Sequence, residues 1–288
     1  MSLTQSSSPF DRCGLAALSD LQTPAWRGLY TTLEQEQEAF LAQEPEFRSP
    51  NYLWPRDPLH TWSRVWEYPY VYHHLQKWRT KSKSEIVSTV VVDLGSGVTF
   101  FPFSVARLGY QVICTDIDPV CEGDLIKAAQ HISQEPGKVN FRLCDESTLP
   151  FSDGEVDVIY CISVLEHIQE FEKTISEIDR ILKPGGLLLL TIDLDLRGDS
   201  EIGVEKYQKL ISALRQRFSE RYPDRTVHPA DLLHSAAGPF GYKPLKGIAW
   251  LRSFFKQQIL KPLLRRKPAP MLPFYLAVQG FVLEKFRG

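Results

Sequence analysis

The chain contains no uncharged apolar run of membrane-spanning length, which excludes a helical membrane span. Its opening residues, Met-Ser-Leu-Thr-Gln-Ser-Ser-Ser-Pro-Phe, lack a basic stretch leading into an apolar core, so no secretory leader is expected. Cysteine is sparse and unpatterned: there are five in 288 residues, an odd count with no Cys-x-x-Cys pair. Buried thiols in a reducing cytosol follow as the expectation, with no disulfide framework. An excess of one charge is missing too. At a net charge of -2 the chain has no global attraction for nucleic acid, and none is expected as a partner. Internal repeats are absent.

What is present fits one large α/β domain with an attached cap, since 43% apolar and 24% charged residues is ordinary globular composition. Residues 1 to about 20 are Ser-rich and weakly patterned, and read as a mobile or loosely packed arm. From about 24 to 80 the chain is helical in places and rich in aromatic residues, holding five of the six tryptophans. The polar run Lys81-Ser-Lys-Ser-Glu85 closes that region, giving an arm and helical cap or lid over 1–84.

Strands and helices then alternate as in a parallel sheet wrapped by crossover helices. Strands are expected at Ile86–Leu94, Tyr110–Thr115, Val139–Leu143, Val156–Ser163 and Leu187–Ile192, and a helix at Pro119–Ile132. Phe171, Ile175, Ile178, Ile181 and Leu182 trace another helix face, stopped by Lys183-Pro-Gly-Gly186. A further amphipathic helix is expected from about 203 to 220, with Phe218 on its apolar side, and a last strand at Phe274–Glu284. The core is placed at 85–200, with 201–288 completing the same fold. Between Leu245 and Pro268 seven basic and no acidic residues interleave with apolar ones, which marks a basic helical insertion capable of weak membrane-surface contact.

The most informative stretch is Val90-Val-Val-Asp-Leu-Gly-Ser-Gly97. A β-branched strand runs into two glycines that can adopt backbone angles closed to other residues and let a ligand lie against bare main chain. Dinucleotide enzymes place a third glycine three residues on, where helix and strand pack closely. Here that position is Phe100. Asp93 would also repel a pyrophosphate and favour a cationic ligand.

On these residues the chain resembles the class I S-adenosylmethionine-dependent methyltransferases, small-molecule and methyltransferase type 11-like, whose first motif is Asp/Glu-x-Gly-x-Gly. The resemblance implies an α/β, Rossmann-like doubly wound, mostly parallel seven-stranded sheet with an N-terminal helical aromatic cap. It implies S-adenosyl-L-methionine as cofactor and S-adenosyl-L-homocysteine as product. Asp93, Gly95, Ser96 and Gly97 would form the cradle, Asp116 would accept from the ribose hydroxyls, and Ile117 would lie against adenine. Asp145 and Glu146 belong to the adenine-recognition segment, and Cys161 to the strand at the methionine end. Lys183-Pro-Gly-Gly-Leu matches the turn into the fifth strand. The matches cover residues 86 to 192.

In this family the helix entry after the fourth strand faces the transferring methyl group, which makes His167 the candidate general base. The run Ser163-Val-Leu-Glu-His167 lacks the first carboxylate of the metal-binding variant, so no metal is expected. Arg64, Trp66, Glu67 and Tyr68 precede the core at a distance that reaches the cofactor mouth, as substrate or lid residues. The expected activity is methyl transfer to oxygen or nitrogen of a small metabolite, natural product or short peptide, in the cytoplasm. The competing readings are an NAD(P)-dependent oxidoreductase, a membrane-surface methyltransferase with a lipid acceptor, and a non-catalytic S-adenosylmethionine-binding protein.

Overall fold

The structure, a computed structural model, describes residues 8–81, 89–145, 148–197, 203–242, 247, 252 and 275–287. Its centre is a nine-stranded sheet. The strands are β1 (Cys13–Leu15), β2 (Val90–Leu94), β3 (Gln111–Asp116), β4 (Lys138–Leu143), β5 (Val156–Ile162), β6 (Leu182–Asp195), β7 (Phe218–Glu220), β8 (Asp224–Arg225) and β9 (Leu276–Lys285). They lie in the order β4-β3-β2-β5-β6-β9-β1-β8, and β7 also pairs with β9. From β4 to β6 all pairs are parallel, and β9 runs antiparallel to β6. This is the mostly parallel, doubly wound sheet expected, with the short strands β1 and β8 added at one edge.

The helices are α1 (Pro24–Ala42), α2 (Glu44–Phe47), α3 (Arg64–Lys81), α4 (Phe101–Arg107), α5 (Pro119–His131), α6 (Phe171–Ile181) and α7 (Val204–Arg215). Side chains alternate across each strand, so one strand feeds two cores. Val158, Tyr160, Leu187 and Leu189 meet α1, α3, α4 and α5 on one face. Ile159, Cys161, Leu188 and Leu190 meet α6 and α7 on the other. Strand order reverses at β2, the point where ligands bind at the carboxyl ends of such sheets.

Three local features depart from the expectations. Residues 8–20 are not a loose arm: Phe10 and Cys13 are fully buried, and β1 pairs with β9. Buried Asp20 fixes them, accepting from Arg12, from Ala17 N at 3.1 Å and from the Trp66 indole at 2.9 Å. The turn at Lys183–Gly186 is absorbed into β6 as an irregularity, with Val156 opposite Leu182 but Val158 opposite Leu187. The last helix stops at Arg215, because Phe218 is buried in an edge strand opposite Lys285. The expected basic helical insertion at 245–268 lies outside the described residues except for Arg252 and Gly247, as do residues 86–88 of the first strand.

The aromatic segment is part of the core. Helix α3 lies directly on the sheet, so closely that a Cβ on Gly280 of β9 would stand 2.7 Å from the Tyr70 ring and 2.8 Å from the Trp66 ring. Pro69 sits inside α3 and has no N–H to give the Val65 carbonyl. The indole of Trp26 on α1 donates to that carbonyl at 2.7 Å, which satisfies it and locks α1 to α3. No helix among the described residues is long and apolar enough to cross a membrane. All five cysteines are free, and Cys13, Cys114, Cys121 and Cys161 are buried.

Candidate active site

Strand β2 delivers the chain into the turn Gly95–Gly97, where both glycines have positive φ, 72° and 53°. A side chain at Gly95 would collide with both Val164 methyl carbons at 2.7 Å, and one at Gly97 would meet the Tyr52 hydroxyl at 3.1 Å. The turn is tied to the end of β3 by its own amides. Gly95 N and Ser96 N donate to the Thr115 carbonyl at 2.9 and 3.0 Å, Gly97 N to Asp116 Oδ2 at 2.9 Å, and Val98 N to the Tyr52 hydroxyl at 3.0 Å. Four successive N–H groups are therefore occupied. A pyrophosphate cradle needs such groups pointing at the ligand, so the dinucleotide reading loses its physical basis here.

Tyr52 brings the N-terminal region onto this turn. The Arg48 guanidinium stacks over its ring at 4.2 Å and donates to the Val98 carbonyl at 3.1 Å. Phe100, where a dinucleotide enzyme has glycine, is buried edge-on against Tyr68 with centroids 5.4 Å apart.

The turn forms one side of a cavity of about 1150 Å³. Asp93 lines it from within the sheet, only 6% exposed, and accepts from the Tyr160 hydroxyl at 2.8 Å. Burial pushes its carboxyl up to about 8, against the Tyr160 hydrogen bond and with help from the Asp116 charge. Asp116 reaches the cavity from the end of β3, with Oδ1 accepting from Asp118 N at 3.0 Å. Ile117 beside it is 57% exposed. Asp145 also lines the cavity, its Oδ1 accepting from Thr148 N at 2.6 Å.

Acidic groups thus face the cavity at three strand ends. They suit a ligand that carries positive charge at one end and hydroxyl or amino donors at the other. Residues 92–190 match the family described as a methyltransferase domain. Over those residues the chain carries a methyltransferase domain. The family's cosubstrate is S-adenosylmethionine, and the residues present fit it: bare main chain where a Cβ would clash, and Asp93 buried where a cationic end would neutralise it.

Known proteins similar to the chain include an uncharacterized methyltransferase of Mycolicibacterium gilvum, 28% identical over 179 residues, 61% of this chain and 66% of the relative. A ubiquinone biosynthesis O-methyltransferase of Xanthomonas euvesicatoria is 32% identical over 139 residues, 48% of this chain and 52% of that protein. The matched part therefore spans between half and two thirds of these relatives. A crystal structure of a SAM-dependent methyltransferase from Aquifex aeolicus aligns with a TM-score of 0.46 at 13% identity, covering 84% of this chain and 97% of that one.

Two of the expected site residues stand elsewhere. Cys161 points away from the cavity into the core beneath α6, because alternation along β5 turns Tyr160 and Ile162 to the cavity side instead; Cys144 is the thiol that lines it. Trp66 is fully buried between Phe10 and Tyr70 and does not reach the cavity. Glu146 lies outside the described residues. His167 lines the cavity from a short 3-10 turn, Leu165–His167, and its side chain is exposed.

Arg64 and Tyr68 line the cavity, and Glu67 lies just behind them, fully buried. Glu67 pairs with Arg64 and accepts from Ser163 Oγ at 2.7 Å and Thr191 Oγ1 at 2.6 Å. Ser163 has φ 47°, a left-handed angle that costs a non-glycine residue about 1–2 kcal/mol. Its hydroxyl also takes a hydrogen bond from Arg64 Nη1 at 2.9 Å. Beyond it lie two more carboxyl groups. Asp193 on β6 lines the cavity, and Glu166 is buried behind, accepting from Asp193 N at 2.7 Å. Burial and repulsion from Glu67 push Asp193 up to about 7, opposed by Arg64 and Ser163. Burial and repulsion from Asp193 push Glu166 well above the usual carboxylate range.

The sequence reading missed Tyr52, Tyr160, Ser163 and Asp193. Three of them were accessible to a simple rule, since Tyr160, Ser163 and Asp193 stand at or near the carboxyl ends of parallel strands.

Proposed function

We propose that this protein transfers a methyl group from S-adenosylmethionine to an oxygen or nitrogen atom of a small, largely apolar acceptor, a metabolite, natural product or short peptide, in the cytoplasm. The observation that carries this reading is the size and lining of the cavity. At about 1150 Å³ it exceeds the roughly 300–1,000 Å³ of a site for one small ligand. It runs from the glycine turn to Trp54, Trp62 and Tyr68, so an acceptor has room beside a cofactor.

Asp93, the Gly95–Gly97 turn, Asp116, Ile117 and Asp145 are the residues to hold S-adenosylmethionine, which when bound supplies a methyl group already activated on a sulfonium. The chain then has chiefly to orient the acceptor and exclude water. Trp62 and Tyr68, both buried in the cavity wall, present apolar faces for that purpose. Trp54 and Tyr242, 61% and 54% exposed, rim the opening with further aromatic surface. The O-methyltransferase role named for the Xanthomonas relative supports oxygen as one acceptor atom.

The test is calorimetric titration of the full chain with S-adenosylhomocysteine and with NADH. Binding of the first and not the second is expected, followed by transfer of labelled methyl from S-adenosylmethionine to members of a phenol and amine panel. NADH binding without S-adenosylhomocysteine binding would sink the proposal.

A further inference from the structure

The acceptor end of the cavity contains an unanswered hydrogen-bond acceptor. Three carboxyl groups converge there: Glu67 from α3, Glu166 from the turn after β5, and Asp193 from β6. Arg64 is the guanidinium among them, and its Nη1 is already engaged with Glu67 and Ser163. Lys206 on α7 donates to the main-chain carbonyl of Glu166 at 2.6 Å. Glu67 is fully served, with Arg64 on one oxygen and Ser163 and Thr191 on the other. Asp193 Oδ1 and Glu166 Oε2 are sealed from solvent and have no partner.

Buried polar atoms are nearly always paired, so each exception calls for a reason. The two orphans differ in position. Glu166 Oε2 lies behind the wall, whereas Asp193 belongs to the wall itself. Asp193 also projects beyond the neighbouring strand: Ile162, the last residue of β5, is opposite Thr191, two residues before it. Of the two carboxyl groups, Asp193 is therefore the one that an occupant of the cavity can approach.

Resting on the methyltransferase reading above, we propose that Asp193 seats the acceptor, its carboxylate accepting from the acceptor's hydroxyl or ammonium group and taking that proton as the nucleophile forms. The hydroxyl O–H bond, or one N–H bond of an ammonium, breaks, its electron pair stays on oxygen or nitrogen, and the proton ends on the Asp193 carboxylate. Arg64, Ser163 and Glu67 keep the carboxyl group's surroundings in place, and His167, exposed on the outer wall, is not needed as the base. The arrangement selects by charge. Alcohols, phenols and amines bring the missing donor, whereas a carboxylate acceptor would meet Asp193 and Glu166 with like charge and no proton to give.

The test uses the full chain saturated with S-adenosylhomocysteine, with phenol, benzylamine and benzoate as probes, read through tryptophan fluorescence because Trp54 and Trp62 line the cavity. Phenol or benzylamine should bind the wild-type complex and lose at least tenfold in affinity with Asp193→Asn, while benzoate binds weakly and gains. S-adenosylhomocysteine should bind both proteins within about twofold, which separates loss of a proton acceptor from loss of structure. The tighter of the two neutral-or-cationic probes marks the acceptor as a hydroxyl or an amine. If neither binds, if both bind the two proteins equally, or if benzoate binds wild type best, the role of Asp193 is overturned while cofactor binding stands. Failure of S-adenosylhomocysteine to bind wild type overturns the methyltransferase reading itself.

Discussion

Replacing Asp93 with asparagine should make the protein more stable and less able to bind its cofactor. The Asp93 carboxyl is buried, receives one hydrogen bond from Tyr160, and ionises at about 8 in the folded chain, against 3.8 ordinarily. Between those two values the folded state holds a proton that the unfolded state has lost. Stability therefore falls as pH rises from about 4 to about 8 and is flat above, as expected for a raised carboxyl. Each pH unit inside that window is worth about 1.4 kcal/mol, so the three units from pH 5 to pH 8 amount to about 4 kcal/mol.

Asparagine keeps an oxygen for the Tyr160 hydroxyl and does not ionise, so Asp93→Asn removes this slope. The stability difference, variant minus wild type, should grow in favour of the variant by about 4 kcal/mol between pH 5 and pH 8. Urea unfolding of both proteins across that range, without ligand, measures it. A difference that is flat with pH, or that shifts toward wild type, would refute the reasoning. The same carboxylate should couple ligand binding to pH. A cationic ligand end favours the ionised form, so wild-type affinity for S-adenosylhomocysteine should rise toward pH 8, and Asp93→Asn should bind weakly with little pH dependence.

Other substitutions test the remaining links. Gly95→Ala, forced into φ 72° and against Val164, should lose S-adenosylhomocysteine binding by calorimetry and about 1–3 kcal/mol of stability by urea unfolding. Trp26→Phe keeps the ring stacked on Tyr30 but strands the Val65 carbonyl that Pro69 cannot serve, and should cost about 1–3 kcal/mol in the same unfolding assay. Asp116→Ala removes the acceptor for Gly97 N, and should weaken S-adenosylhomocysteine at least tenfold while far-UV circular dichroism stays unchanged.

What was legible in the sequence was whatever is written within a few residues. Val90 to Gly97 states a strand and a glycine turn in one breath, and the apolar spacing of Phe171, Ile175, Ile178 and Ile181 states the face of α6. The N-terminal arm was illegible for the opposite reason. Its order depends on Asp20 meeting Trp66 and on β1 finding β9, contacts set by distant parts of the chain. Cys161 was misplaced through a period-2 matter: a residue in a parallel strand faces one core or the other, and its neighbours Tyr160 and Ile162 take the cavity side.

The acceptor end is likewise assembled across long separations. Glu67 meets Ser163 across 96 residues and Thr191 across 124, and no short window contains that cluster. The alternation of strands and helices nonetheless implies a parallel sheet, and such a sheet gathers the carboxyl ends of its strands at one edge. Gly95, Asp116, Cys144, Ser163 and Asp193 stand at or near those ends, and all five line the cavity. The resemblance to a family picked out the first two of these by motif, because they serve the invariant half of the reaction. Topology reaches Asp193, where no motif is at work, and that is the position at which the proposed contact with the acceptor is made.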